Sequence, residues 1–310
     1  MDNQIKILDL LNQKKSKEYE IENLIYGSIE IRQKDNKKYI YIHTRNEGIQ
    51  SSKYIGEYND ELYNLIVNNN IKAKDIKKEI RKINKQLKEL NYVDEDLSPE
   101  VAKNLDFAKK HLADTIYKQA ILEGVATTLS DTQNIIEGGK VNNMSPEDIL
   151  KIINLKHAWE FILNKNVIQS PSDYSLLCMI NKLVEEGFYY NAGLLRNVPV
   201  KIGGTTWSPE IPIESDVKDN IQNIINNNDN IIDTAVNLLL YVVKKQMFID
   251  GNKRTSIIFV NHYLISRGKG LIVIPADKIE EYKKLLVEYY ENNDSKKIKN
   301  FIKKECYLKI

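Results

Sequence analysis

Two strongly apolar helical faces separated by one short polar turn constrain this chain more than any other feature. Ile232, Ala235, Leu238, Leu239 and Val242 share one face. Ile257, Ile258, Val260, Asn261, Leu264 and Ile265 form the next. Faces this apolar must be buried against other helices, which predicts a packed helical core. Between them runs Gln246-Met247-Phe248-Ile249-Asp250-Gly251-Asn252-Lys253-Arg254-Thr255, a turn holding an acid, a glycine, an amide and two cations. The first peptide N–H groups of the second helix are unpaired and point into this turn. Glycine permits close backbone approach. Asn252, Lys253 and Arg254 add donors, so the turn has the chemistry of an anion site. Asp250 beside it can hold Mg²⁺ through its carboxylate, the ion bridging phosphate oxygens. The same residues also suit an ordinary helix–helix loop with Asp250 as cap.

The remaining pattern places this turn late in a two-part chain. Residues 21–58 are rich in Ile and Tyr and are interrupted at Asp35-Asn36 and Asn46-Glu47-Gly48. This predicts three antiparallel strands, a small β module over 1–58. Asn59 or Asp60 can then cap a helix. Ile76, Ile80, Ile83, Leu87 and Leu90 follow in alternating steps of four and three, and Val101, Leu105, Ala108 and Leu112 repeat them. A helical hairpin linker over 59–112 is expected, its second helix started by Ser98-Pro99. From 113 to 310 the chain reads as helical, with Ser145-Pro146 starting another helix. One exception is Val198–Pro212, where Val198, Val200 and Ile202 alternate before Gly203-Gly204, as in a β-hairpin. The Asn-rich 226–230 stretch reads as a solvated turn.

Composition excludes several classes. The 310 residues carry a net charge of only +2, which argues against nucleic acid or anionic lipid as a partner attracted by overall charge. Eight basic against two acidic residues between 72 and 88 nevertheless leave a local basic helix, with Lys34, Lys37, Lys38 and Arg45 nearby. A hydrophobic content of 42% with 18 tyrosines is sufficient for a packed core. Two cysteines and four histidines provide neither a disulfide framework nor a zinc spacing. No apolar run is long enough for a bilayer, and the charged N-terminus lacks a signal-peptide core. A soluble, cytoplasmic protein is expected.

The turn resembles the signature of the Fic/Doc (Fido) family, His-x-Phe-x-(Asp/Glu)-(Gly/Ala)-Asn-(Gly/Lys)-Arg-x-x-Arg. Phe248, Asp250, Gly251, Asn252, Lys253 and Arg254 match it. Gly193 to Pro209 looks like the family's flap, and the C-terminal stretch looks like its closing helices. The resemblance covers roughly 115–310. It implies a mainly α, Fic-like helical domain with a β-hairpin flap. It also implies transfer of AMP from ATP, with Mg²⁺, to a Ser, Thr or Tyr hydroxyl of a target protein. Asp250 would then bind the metal. Gly251, Asn252 and Lys253 would line the phosphate loop, Arg254 would neutralise the phosphates, and Phe248 would anchor the turn. Val200, Ile202 and Trp207 would meet the target.

Two positions depart from the pattern. Gln246 stands where the family has its general-base histidine, and a neutral amide cannot accept the hydroxyl proton. Ile257 stands where the family has a second arginine. The sequence alone leaves open whether Gln246 arose naturally or was introduced. Gln119 to Gly124 resembles the family's inhibitory helix motif, which makes Glu123 a regulatory candidate; a surface acid before a helix end is the alternative. The expected function is an impaired protein adenylyltransferase. The alternatives are a Doc-like protein kinase toxin, favoured by Lys253, and a non-catalytic nucleotide- or partner-binding relative. An antitoxin or other regulator and self-association stay open as partners. His43, His111 and His157 are isolated, and Trp159 lies in an apolar stripe.

Overall fold

A computed structural model describes residues 3–46, 49–93, 95–227 and 230–310, with the side chains of 45, 46, 49 and 50 left aside. The expected turn at Glu47-Gly48 and part of the 226–230 stretch lie outside the described residues. The chain divides into two compact units, one of residues 9–93 and one of residues 1–8 with 94–310.

The smaller unit contains a three-stranded antiparallel sheet, β1 Ser28–Lys34, β2 Lys37–Asn46 and β3 Ile49–Glu57, in the order β1-β2-β3. Asp35 and Asn36 join β1 to β2 with φ of 50° and 59°, as a two-residue turn matched to strand twist requires. Strand alternation sends Ile40 and Ile42 to one face. There they pack with Ile66, Ile29, Ile55 and Leu62. Helix α1, Asn3–Glu22, was not anticipated, because its charged residues obscure an apolar pair at Leu8 and Leu11. Asn59 caps α2, Asp60–Glu89, by accepting from the Leu62 N–H at 2.7 Å. The two expected helical segments here are therefore one helix. Lys17–Glu79 and Lys72–Glu20 ion pairs, at 2.8 and 2.9 Å, tie α1 to α2.

The larger unit is helical: α3 Pro99–Lys110, α4 Leu112–Leu122, α5 Leu129–Ile136, α6 Pro146–Ile162, α7 Lys165–Ile168 and α8 Tyr174–Val184 come first. They are followed by α9 Glu214–Asn226, α10 Ile231–Lys245, α11 Asn252–Ile265, α12 Ile279–Asn292 and α13 Lys296–Phe301. A short antiparallel pair, β4 Leu271–Ile272 and β5 Tyr307–Leu308, closes it. α11 is the central element and packs against α10, α8 and α6. Asn261 keeps its polar group inside this core by donating to Ile257 O and Ile272 O and accepting from Ile272 N. The fold class is mainly α, as expected.

Two expectations differ from what is observed. The 59–112 hairpin is not one unit: α2 belongs with the sheet, while α3 packs on α11. Heptad-like spacing shows that a helix has an apolar seam, but not which neighbour covers it. Residues 198–212 contain no strand. Pro199, Pro209 and Pro212 lack the N–H groups a ladder needs, so the segment is an irregular loop fixed by side chains.

Candidate functional site

The signature turn begins where α10 stops. Gln246 adopts a left-handed conformation, φ 47°, as the C-terminal cap of α10. Its side-chain amide folds back and donates to Val243 O at 2.6 Å. Phe248 is buried at the turn's base. Asn252 then closes the turn on itself: Oδ1 accepts from Phe248 N at 3.0 Å and Nδ2 donates to Phe248 O at 2.9 Å. Its side chain thus holds the loop's shape rather than reaching outward. Asn252→Ala removes two buried bonds and orphans the Phe248 peptide. We expect a loss of about 2–4 kcal/mol in urea unfolding. An unchanged midpoint would sink this assignment.

Gly251 occupies the turn's tightest point, with φ 73°. A Cβ there would collide with Glu185 Oε1 and lie 3.1 Å from Asn181 Nδ2. Asn181 and Glu185, four residues apart at the end of α8, were missed in the sequence. Their signal was present: two polar residues ending an apolar helix. Asn181 Nδ2 donates to Asp250 O at 3.0 Å and Thr255 Oγ1 at 3.1 Å, while Oδ1 accepts from Gly193 N at 2.9 Å. One buried amide therefore joins the turn, α11 and the start of the 193–210 segment.

Arg196 completes that joint from the other side. Nε donates to Gln246 O at 2.6 Å, Nη1 to Val198 O at 2.8 Å, and Nη2 to Pro209 O at 3.3 Å and Glu210 O at 2.6 Å. The two ends of the loop are thereby gathered onto the turn. The loop lies over a cleft of about 740 Å³ lined by Val200, Ile202, Gln246, Asp250, Lys253 and Glu123, among others. Trp207, expected to meet a target, does not line it. The ring stacks on Tyr290, centroids 5.6 Å apart, with Lys244 Nζ 5.4 Å from the indole centroid. It fastens the loop to α12.

Charge converges on Arg254. The guanidinium is buried, with Nη2 2.9 Å from Glu185 Oε1 and 3.4 Å from Asp250 Oδ2. Nε lies 3.8 Å from Glu123 Oε2, and Lys253 Nζ lies 3.4 Å from Glu123 Oε1. Neither Nε nor Nη1 makes a hydrogen bond among the described residues. Glu123 therefore faces the turn's two cations and is not a surface acid. Its position comes from Gln119, one helical turn earlier, which donates to Arg254 O at 2.8 Å and accepts from Trp159 Nε1 at 2.8 Å. Ile257 is buried in the core and presents no cation. His262, the nearest histidine in sequence, is fully buried between Ser172 Oγ and Val167 O at 2.9 Å each. Burial pushes its pKa down to about 4. It belongs to the core.

Burial also holds the Glu185 carboxyl up at about 7, against the opposing pull of Arg254 and an ordinary value of 4.5. Between those pH values the folded chain binds this proton more tightly than the unfolded chain does. The group's stabilisation is complete below pH 4.5 and is lost as pH rises through 7. Glu185→Gln should remove a component on the order of 3 kcal/mol from the pH dependence of stability across that window. Parallel wild-type and variant profiles would contradict this.

The donor set fits a magnesium-bound polyphosphate. α11 begins at the cleft without a side-chain cap, Arg254 has buried N–H groups without acceptors, and Asp250 presents a half-exposed carboxylate. The described residues hold no cluster of three metal-ligating side chains. Mg²⁺ would thus rely on Asp250 and on phosphate oxygens.

Comparison with known proteins finds likeness over the region that holds this turn. Residues 171–264 match the model of the Fic/DOC family. The structure is similar to a Fic domain containing signaling protein from Bacteroides thetaiotaomicron, with TM-score 0.50 and 20% identity over 62% of this chain and 75% of that one. It is similar to Fic-1 from C. elegans, with TM-score 0.53 and 20% identity over 79% of this chain and 73% of that one. A Fic family protein from Desulfovibrio desulfuricans gives TM-score 0.51 and 16% identity over 67% and 72%. At such identities the likeness is one of fold. No curated protein matches the chain. No helix among the described residues is long and apolar enough to cross a membrane.

Proposed function

We propose that the helical unit is a Fic-type nucleotide site that binds Mg²⁺–ATP and has little capacity for group transfer to a protein hydroxyl. The observation that carries this reading is the 248–254 turn. It is locked by Asn252, opens on the uncapped start of α11 and faces a cleft roofed by residues 200–204. When bound, the nucleotide and metal would supply an electrophilic phosphorus. This chain's residues would orient it: Arg254 and the α11 peptide N–H groups at the phosphates, Asp250 at the metal. Gln246 would hold no proton, because its amide is neutral and already bonded to Val243 O. This last contact favours a second reading, a nucleotide-binding module without transfer.

Glu123 takes the place that phosphate oxygens would need beside Lys253 and Arg254. Glu123→Ala should therefore tighten Mg²⁺–ATP binding by roughly tenfold, the scale of one charge-assisted contact. The test is thermal stabilisation of the wild type, Glu123→Ala and Arg254→Ala by Mg²⁺–ATP. A larger shift for Glu123→Ala and none for Arg254→Ala is the expected result. No shift in any of the three would overturn the reading.

A further inference from the structure

The smaller unit has a cleft of its own, about 710 Å³, lined by residues that the helical site does not use: Tyr26, Ser28, His43, Lys74, Lys77 and Arg81, with Lys78 beside them. Positions 74, 77, 78 and 81 lie on one face of α2, spread over about 10 Å of helix. Lys78 is paired with Asp75 at 3.0 Å. Lys74 and Arg81 have no acidic partner among the described residues. Lys77 Nζ lies 4.8 Å from the centroid of the Tyr26 ring. The cleft is built rather than incidental. Asn70 accepts from Gly27 N at 2.8 Å and donates to Gly27 O at 3.0 Å, pinning the entry to β1 against α2. A Cβ at Gly27 would strike Ile42 and His43 O.

His43, which lines the cleft, also belongs to an aromatic face of the sheet. Alternation along β2 puts His43, Tyr41 and Tyr39 on the sheet face opposite Ile40 and Ile42. His43 Nε2 lies 2.6 Å from Glu30. Tyr54 stands across from Tyr41, centroids 5.4 Å apart, and is 52% exposed; Tyr39 lies 6.2 Å from Tyr54. The Arg32 guanidinium lies 4.3 Å from the Tyr41 ring centroid.

We propose that this unit binds single-stranded nucleic acid, the cationic face of α2 holding phosphates in the cleft while the sheet tyrosines, Tyr54 foremost, stack bases. A basic cleft in which Lys74 and Arg81 have no acidic partner among the described residues, with His43 shared between it and a tyrosine-bearing face, joins the two elements that hold a single strand: cations for the phosphodiester backbone and rings that accept any base by its face. The chain's net charge of +2 is compatible with this, because phosphates respond to the local field within about 10 Å. An acidic peptide would meet the same cations but would leave the tyrosines without a function.

The experiment is fluorescence anisotropy of a labelled oligothymidylate with the full chain across a salt series. The wild type should bind, with affinity falling as salt rises. The triple variant Lys74→Glu/Lys77→Glu/Arg81→Glu should lose at least about tenfold in affinity and about two units of log–log salt slope. Tyr54→Ala should lose about fivefold or more with the salt slope unchanged, as stacking requires. Lys109→Glu/Lys110→Glu, on α3, should change neither. The proposal is overturned by no binding at low salt, by equal losses in the α3 control, or by tighter binding of duplex. It is equally overturned if polyglutamate binds as tightly as the oligonucleotide and Tyr54→Ala has no effect.

Discussion

Gln246→His is expected to raise the transfer of label from ATP to protein by about 10²–10⁴-fold over the chain as it stands, the usual contribution of a positioned general base. The position suits a base: residue 246 lines the cleft, its backbone carbonyl is held by Arg196, and its left-handed conformation is set by the end of α10. What it lacks is a group that can take a proton. ATP labelled at the α-phosphate and ATP labelled at the γ-phosphate, each supplied with Mg²⁺ and cell extract, distinguish nucleotidyl from phosphoryl transfer. Combining the substitution with Glu123→Ala should add to the gain, because Lys253 and Arg254 then no longer share their charge with the Glu123 carboxylate. Equal, substantial transfer by the unaltered chain would show that the general-base argument is wrong. Absence of transfer by every variant, with ATP still bound, would leave the binding module as the correct reading.

Gly251→Ala should cost about 2–4 kcal/mol of stability and abolish the ATP-dependent thermal shift. Two effects add. The backbone at φ 73° is poorly tolerated by a residue with a side chain, and the new methyl would displace Glu185 from Arg254. The double variant Gly251→Ala/Glu185→Ala separates them. Relief of the collision should recover part of the stability, while the backbone strain persists. A single variant within about 0.5 kcal/mol of wild type in urea would refute the close approach.

Several elements were legible from residue order because their causes are local. The three strands follow from Ile and Tyr alternation and from an Asp-Asn turn that tolerates positive φ. Helix starts at Asn59, Ser98 and Ser145 follow from side chains that reach their own peptide N–H groups. The 246–255 turn was readable because glycine, amide and cations sit in one contiguous stretch. Its resemblance to a long family signature was correspondingly specific.

Contacts distant in sequence decided the rest. Asn252 was expected to line a phosphate loop, and the fold adds that its side chain bonds the Phe248 peptide, because the turn folds tightly enough to need an internal clasp. Trp207 reads either as a target contact or as cover for the flap's base, and only the fold shows its ring stacked on Tyr290, from a helix some eighty positions away. The expected flap strands are absent because prolines remove donors and the Arg196 guanidinium gathers the loop ends instead. Residue order leaves Glu123 either an exposed acid or a cation partner, and the bond from Gln119 to the backbone of Arg254 fixes which way that helix faces. Residue order thus determined where helices, strands and the signature turn would form, since propensity, capping and turn chemistry act within a few residues. Which acids meet Arg254, and what roofs the cleft beside it, depended on side chains brought together from opposite ends of the helical unit. No local pattern encodes that pairing.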